Sequence, residues 1–204
     1  MVNLANGIRY NTAIKRNLFE LAHALLELKA LTAWDRYTDE NEIYVHGESY
    51  FSISQKALFN DMVSHAIKVL ELDKCGDSST FWYILKTDTL VLKNLKDYSE
   101  EKIYSLQSLA VKLKHVRDKT HFHLDKNGIL DHHKIWQEAD IKGRELSEGL
   151  KYLFGLLCGL YKNIFKESFL YHPDDYDDTD LIKLLNFAAS SDLINVVPKM
   201  KELR

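Results

Sequence analysis

Apolar residues recur every three or four positions along most of the chain, the spacing of a single buried stripe on an amphipathic helix. Between Asn11 and Trp34 the stripe is Ile14, Leu18, Leu21, Leu25, Leu28 and Leu31. Polar residues dominate from Thr38 to Glu48, where Gly47 marks a connection with a short extended piece at Ile43–Val45. From Ser52 to Leu72 the apolar face broadens to Leu58, Phe59, Met62, Val63, Ala66, Ile67, Val69 and Leu70, as in a helix covered on two sides. Gly76 and its polar neighbours break the pattern over Asp73–Ser79. A shorter helix is predicted from Thr80 to Leu95, with Trp82, Ile84, Leu85, Leu90 and Leu92 as its apolar positions.

Ser99 followed by Glu100 and Glu101 is a helix start, because carboxylates favour the positive N-terminal end. Leu106, Leu109, Leu113 and Val116 form the inward line of this helix, which runs into RDKTHFHLDK and stops at Asn127–Gly128. One further helix is predicted from a cap at Asp131 to about Glu167, carrying Leu146, Leu150, Leu153, Leu157, Leu160 and Ile164. After YHPDDYDDTD a short amphipathic helix follows near Asp180–Ala189. No internal repeat, low-complexity tract or interdomain linker interrupts this order. The pattern therefore predicts an all-α, up-and-down helical bundle over residues 1–170. Residues 171–204 add an acidic loop and a short C-terminal helix packed on the same domain.

Composition supports that reading. The 204 residues contain two prolines and eight glycines, so helix breakers are few. Hydrophobic residues at 46% and charged residues at 28% are ordinary for a soluble globular protein. Cys75 and Cys158 are too few and too far apart for a disulfide framework, which suits a reducing cytosol. The first residues lack an apolar signal core, and the apolar run Tyr152–Tyr161 is too short for a bilayer span of about 20 residues. A cytoplasmic protein without a membrane partner is expected.

Charge singles out one segment. The formal net charge is −3, which argues against a surface that grips nucleic acid everywhere. Yet Val111–Lys126 holds Lys112, Lys114, Arg117, Lys119 and Lys126 against Asp118 and Asp125, a local excess of three positive charges. His115, His121 and His123 lie within it, and His132 and His133 follow. A basic island in an acidic chain is where phosphate would bind. At about 100° per residue Arg117 and His121 share a helix face, whereas Arg117 and His123 stand about 120° apart. Arg117 and His123 thus converge only if the helix end loosens or a two-fold partner completes the site.

The run Arg117-Asp118-Lys119-Thr120-His121-Phe122-His123 resembles the signature of the HEPN superfamily, an arginine with a polar neighbour and a histidine after four to six residues. The wider string RDKTHFHLDK is most similar to the abortive-infection branch of that superfamily. The resemblance covers about residues 10 to 170. It implies a homodimeric helical bundle that cleaves RNA without a metal or other cofactor, in a toxin–antitoxin or antiviral setting. An antitoxin protein would be its partner in the first of these. His123 would transfer protons as a ribose 2′-hydroxyl attacks the adjacent phosphate, Arg117 would hold that phosphate, and Asp118 is the polar neighbour. Histidine titrates near neutrality and guanidinium is a permanent planar donor, so both roles are chemically apt. Lys114, Lys119, His121 and Lys126 are the expected phosphate contacts, and His121, which shares the helix face of Arg117, is the rival of His123 for the histidine role. Some HEPN toxins carry a tyrosine two residues after the histidine as a target of modification; here that position is Asp125.

Plainer readings stand beside this one. Arg117 and His123 would also serve as cations at a helix C-terminus. A transition-metal site from His121, His123, Asp125, Asp131, His132 and His133 lacks any standard ligand spacing. The aspartates after Pro173 have no calcium-loop register and read as a solvated loop. Cys158 reads as a core residue, and His23 and His65 as structural or surface positions.

Overall fold

The computed structural model describes residues 4–40, 43–45, 50–72, 79–121, 132–190 and 196–198. Helix α1 covers Leu4–Glu40, strand β1 Ile43–Val45 and helix α2 Tyr50–Leu70. Two short helices, α3 (Phe81–Thr87) and α4 (Thr89–Lys93), precede α5 (Glu100–Val116). A π-helical turn at Arg117–His121 continues α5. Then come α6 (His132–Ala139), α7 (Gly143–Phe165), a 3₁₀ turn at Pro173–Asp175, α8 (Thr179–Ser190) and strand β2 (Val196–Pro198). The described fold is helical apart from β1 and β2, which pair antiparallel with Tyr44 opposite Val197. No described helix is long and apolar enough to cross a membrane.

Four long helices enclose the core. Helix α1 packs against α2 and α7, and α5 packs against the same two. Helices α1 and α2 run antiparallel, as Asp35 meets Gln55 (3.0 Å) and Glu20 meets His65 (2.5 Å) along their shared face. Ile14, Leu18, Leu21, Met62, Leu70, Leu106, Leu109, Leu113 and Leu150 are fully buried between them. Truncating any one of the leucines to alanine would cost roughly 2–5 kcal/mol. Leu109 and Leu106 crowd Gly149, where an added Cβ would lie 3.1 and 3.3 Å from their Cδ2 atoms, so glycine lets α7 approach α5 closely.

Several boundaries differ from those predicted. Helix α1 is longer at both ends than Asn11–Trp34, because Trp34 and Tyr37 are still buried and Tyr37 donates to Asn186 on α8 (3.0 Å). The predicted helix over Thr80–Leu95 is two helices broken at Asp88, whose φ of −142° is not helical. Thr87 and Thr89 flank the break and turn their hydroxyls onto the carbonyls of Tyr83 and Leu85, a competition with backbone pairing typical of threonine. The long helix expected from Asp131 to Glu167 is likewise two. Asp140 adopts a left-handed φ of 49° between α6 and α7, and Lys112 of α5 donates to its carbonyl (2.9 Å). Asp131 itself, expected as the cap, lies outside the described residues, as do Cys75 and Asn127–Gly128. Ser99 does cap α5, accepting from the Lys102 amide (3.3 Å). Strand β2 had no counterpart in the sequence reading, and α8 packs on α1, where Arg36 also pairs with Asp178 (2.7 Å).

Candidate functional site

Helix α5 delivers Arg117 to the C-terminal end of α2. There the guanidinium donates through Nε (2.8 Å) and Nη2 (2.6 Å) to one oxygen of Asp118, and through Nη1 to Glu71. Partial burial disfavours the charged form, yet these two carboxylates more than offset it and raise the affinity of Arg117 for its proton. The arginine side chain is 19% exposed, whereas Glu71 and Asp118 are each 40% exposed. The cleft beside it, lined by Ile67, Leu70, Glu71, Ala110, Leu113 and Lys114, has a volume of only about 10 Å³. Small-molecule sites are typically about 300–1,000 Å³, so a single chain offers Arg117 an open surface rather than an enclosed pocket.

The π-turn from Arg117 to His121 bears on the helix geometry. Hydrogen bonding from i to i+5 widens the turn, so residues four apart come closer into line than the roughly 40° offset of an α-helix. The backbone register therefore favours positions 117 and 121 sharing a face. His123 and Lys126 lie outside the described residues, with Asp125. Lys114 lines the Arg117 cleft, and Lys119 is half-buried in the π-turn.

The basic island is compensated by carboxylates from elsewhere in the chain. Lys112 pairs with Glu145 (2.8 Å), His115 approaches Glu138 (3.9 Å), and Arg117 has Glu71. The local positive excess counted along the sequence is thus offset by α2, α6 and α7, which sequence proximity does not reveal.

A second constellation, between α1 and α2, escaped the sequence reading, which placed His23 and His65 as structural or surface residues. Glu20, His23 and Glu27 line one face of α1, and Asp61, His65 and Lys68 face them from α2. His65 Nδ1 lies 2.5 Å from Glu20 Oε2, and Lys68 lies 3.1 Å from the same oxygen. Burial opposes ionisation of Glu20, but the bonds from His65 and Lys68 prevail and hold its carboxyl below the ordinary value. His65 Nε2 stands 3.7 Å from both Glu27 Oε1 and Asp61 Oδ1. Burial first, then the charge and hydrogen bonding of Asp61, push the Glu27 carboxyl up to about 8, against an opposing pull from Lys68. The His23 ring stacks on that of His65 at 5.2 Å. The available signal was an i, i+7 carboxylate pair on one predicted helix and an i, i+4 Asp–His pair on the next.

No family model matches the chain, and comparison with curated proteins and with solved structures gave no match.

Proposed function

We propose that the chain is a metal-independent endoribonuclease of HEPN type, an up-and-down bundle acting as a homodimer in a toxin–antitoxin or antiviral setting. Arg117 binds the scissile phosphate, His123 transfers protons, and Asp118 orients the arginine. In the reaction the 2′-oxygen loses its proton and bonds to phosphorus. The bond from phosphorus to the 5′-oxygen breaks, and that oxygen takes up a proton. The observation that carries this reading is the setting of Arg117. A two-donor grip by Asp118 fixes its guanidinium plane at a π-turn, a local widening frequent at functional sites, immediately before the histidine-bearing segment. The shallow cleft suits RNA lying across a surface shared by two subunits better than a nucleotide in an enclosed cavity.

One observation favours a second reading. Glu71 occupies Nη1 of Arg117, as a purely structural ion pair would, and fits a catalytically silent module of the same type that binds RNA, a nucleotide or a protein.

The deciding experiment is cleavage of total and transfer RNA in the presence of a chelator, comparing the parent with Arg117→Ala and His123→Ala. Each variant is expected to lose at least a hundredfold in rate, the usual contribution of one acid–base or phosphate-binding group. Circular dichroism should be unchanged, because the carboxylates left by Arg117→Ala are solvent-accessible. Equal cleavage by all three proteins rules the proposal out. RNA affinity with steep salt dependence but no product would establish the second reading.

A further inference from the structure

We propose that Glu27, Asp61 and His65 form a divalent transition-metal site between α1 and α2, with Glu20 orienting the histidine. The site is independent of Arg117 and of the ribonuclease reading. One ligand atom from each of the three residues lies within 4.8 Å of the other two. The Nε2 distances of 3.7 Å to both carboxylate oxygens are too long for hydrogen bonds. They are close to the separation, roughly 3.4 Å, between ligands of a tetrahedral ion with bonds of about 2.1 Å.

The surroundings prepare these atoms for a cation. Metal-binding histidines usually give their other ring N–H to a carboxylate, which fixes the tautomer and aims the free lone pair at the ion. Here Glu20 accepts from Nδ1 at 2.5 Å, leaving Nε2 directed at Glu27 and Asp61. The parallel His23 ring holds the imidazole plane. Glu27 Oε2 is buried without a hydrogen-bond partner among the described residues, a costly arrangement for a carboxylate unless a cation or proton compensates it. Three carboxylates, Glu20, Glu27 and Asp61, face the ammonium of Lys68, so two negative charges balance a dication once it displaces the proton of Glu27. Imidazole with two carboxylates suits Zn²⁺ and, more weakly, Mn²⁺ or Fe²⁺. Asp61 is 63% exposed, which leaves an entry path and a solvent-facing coordination position.

The test uses the full-length protein, stripped with chelator and dialysed, with Zn²⁺ titrated calorimetrically and melting followed in parallel. The parent should bind one Zn²⁺ per site at micromolar or tighter dissociation constant and melt several degrees higher with saturating metal. Because His121, His123, His132 and His133 are also potential ligands, the same titration is run on a chain with all four replaced by alanine, which should keep the site. Asp61→Asn, at an exposed position that tolerates the change, should remove this binding, and Glu20→Gln should weaken it 10- to 100-fold. Zn²⁺ binding that vanishes with the four histidines, or survives unchanged in Asp61→Asn, overturns the proposal. So does a parent that binds no Zn²⁺ at about 100 micromolar, roughly the weakest affinity a built site would have.

Discussion

Arg117 joins α5 to the end of α2 through Glu71, a residue 46 positions earlier in the chain. Its Nε–Nη2 edge is given to Asp118 and one N–H of Nη1 to Glu71, so a phosphate approaching the remaining N–H groups of Nη1 and Nη2 meets the negative charge of Glu71. A carboxylate that is 40% exposed is readily displaced by a phosphodiester oxygen of the same single charge, since exposed ion pairs are worth about 1 kcal/mol or less.

Glu71 is therefore expected to restrain RNA binding. Glu71→Gln should tighten RNA several-fold and raise cleavage where binding limits it. Arg117→Ala should reduce the slope of log affinity against log salt by about 0.7, the contribution of one phosphate contact on a single strand. Filter binding at several salt concentrations measures both. An unchanged affinity in Glu71→Gln together with an unchanged slope in Arg117→Ala would remove Arg117 from the RNA interface.

The stripped protein should lose stability as pH rises from about 5 to 9, through Glu27. Its folded-state value of about 8 lies above that of an unfolded glutamate, so the native state holds the extra proton between the two values. Stability is greatest below the unfolded value and falls as pH passes through the folded one. Asp61, His65 and Lys68 from α2 and Glu20 and His23 from α1 surround the group and set its environment. The shift converts to about 5 kcal/mol, and solvent screening of this partly buried group brings the swing to roughly 2–4 kcal/mol. Glu27→Gln, which carries the neutral form at every pH, should match the parent near pH 5 and exceed it at pH 9 in urea denaturation. A difference between the two that does not change with pH contradicts this.

The leucine stripes were legible because a buried helix face needs apolar side chains at a fixed angular spacing, whatever it packs against. Leu18, Leu21, Leu109, Leu113, Leu150 and Leu157 accordingly fall in the core. The breaks at Asp88 and Asp140 were not, since aspartate is compatible with a helix and only neighbouring contacts, such as Lys112 on the Asp140 carbonyl, settle the matter. The cluster of Glu20, Glu27, Asp61 and His65 was hidden for a related reason. Each residue reads singly as a polar position on an amphipathic helix, and their convergence depends on the register of α1 against α2. The neutralisation of Arg117 by Glu71 depends in the same way on a crossing that no local pattern encodes.

Cys158 should be a slow thiol. Its packing against the core pushes its value up to about 11, through burial alone, so little thiolate exists at neutral pH. In a Cys75→Ser background, labelling by a thiol-reactive disulfide at pH 7.5 should be at least tenfold slower in the native protein than in urea. Equal rates would show that the α7 face carrying Cys158 opens freely.

Asn17 should prove one of the most sensitive polar positions in the fold. It is 1% exposed, and its amide donates at 2.7 Å to the carbonyl of Ala13 one turn earlier and at 2.7 Å to that of Ser79. It thereby anchors the approach to α3 against α1. Asn17→Ala should cost about 1–3 kcal/mol, the penalty of leaving a buried acceptor unpaired plus lost packing. Asn17→Asp preserves shape but replaces the donating amide with an oxygen facing two carbonyls. At neutral pH it should therefore be more destabilising than alanine, and acidification toward pH 4 should narrow the gap as the carboxyl regains a proton to donate. Urea midpoints of the three proteins at pH 4 and pH 7 measure this, and an aspartate variant as stable as the parent at pH 7 would mean that the Ser79 contact contributes nothing to holding α3 in place.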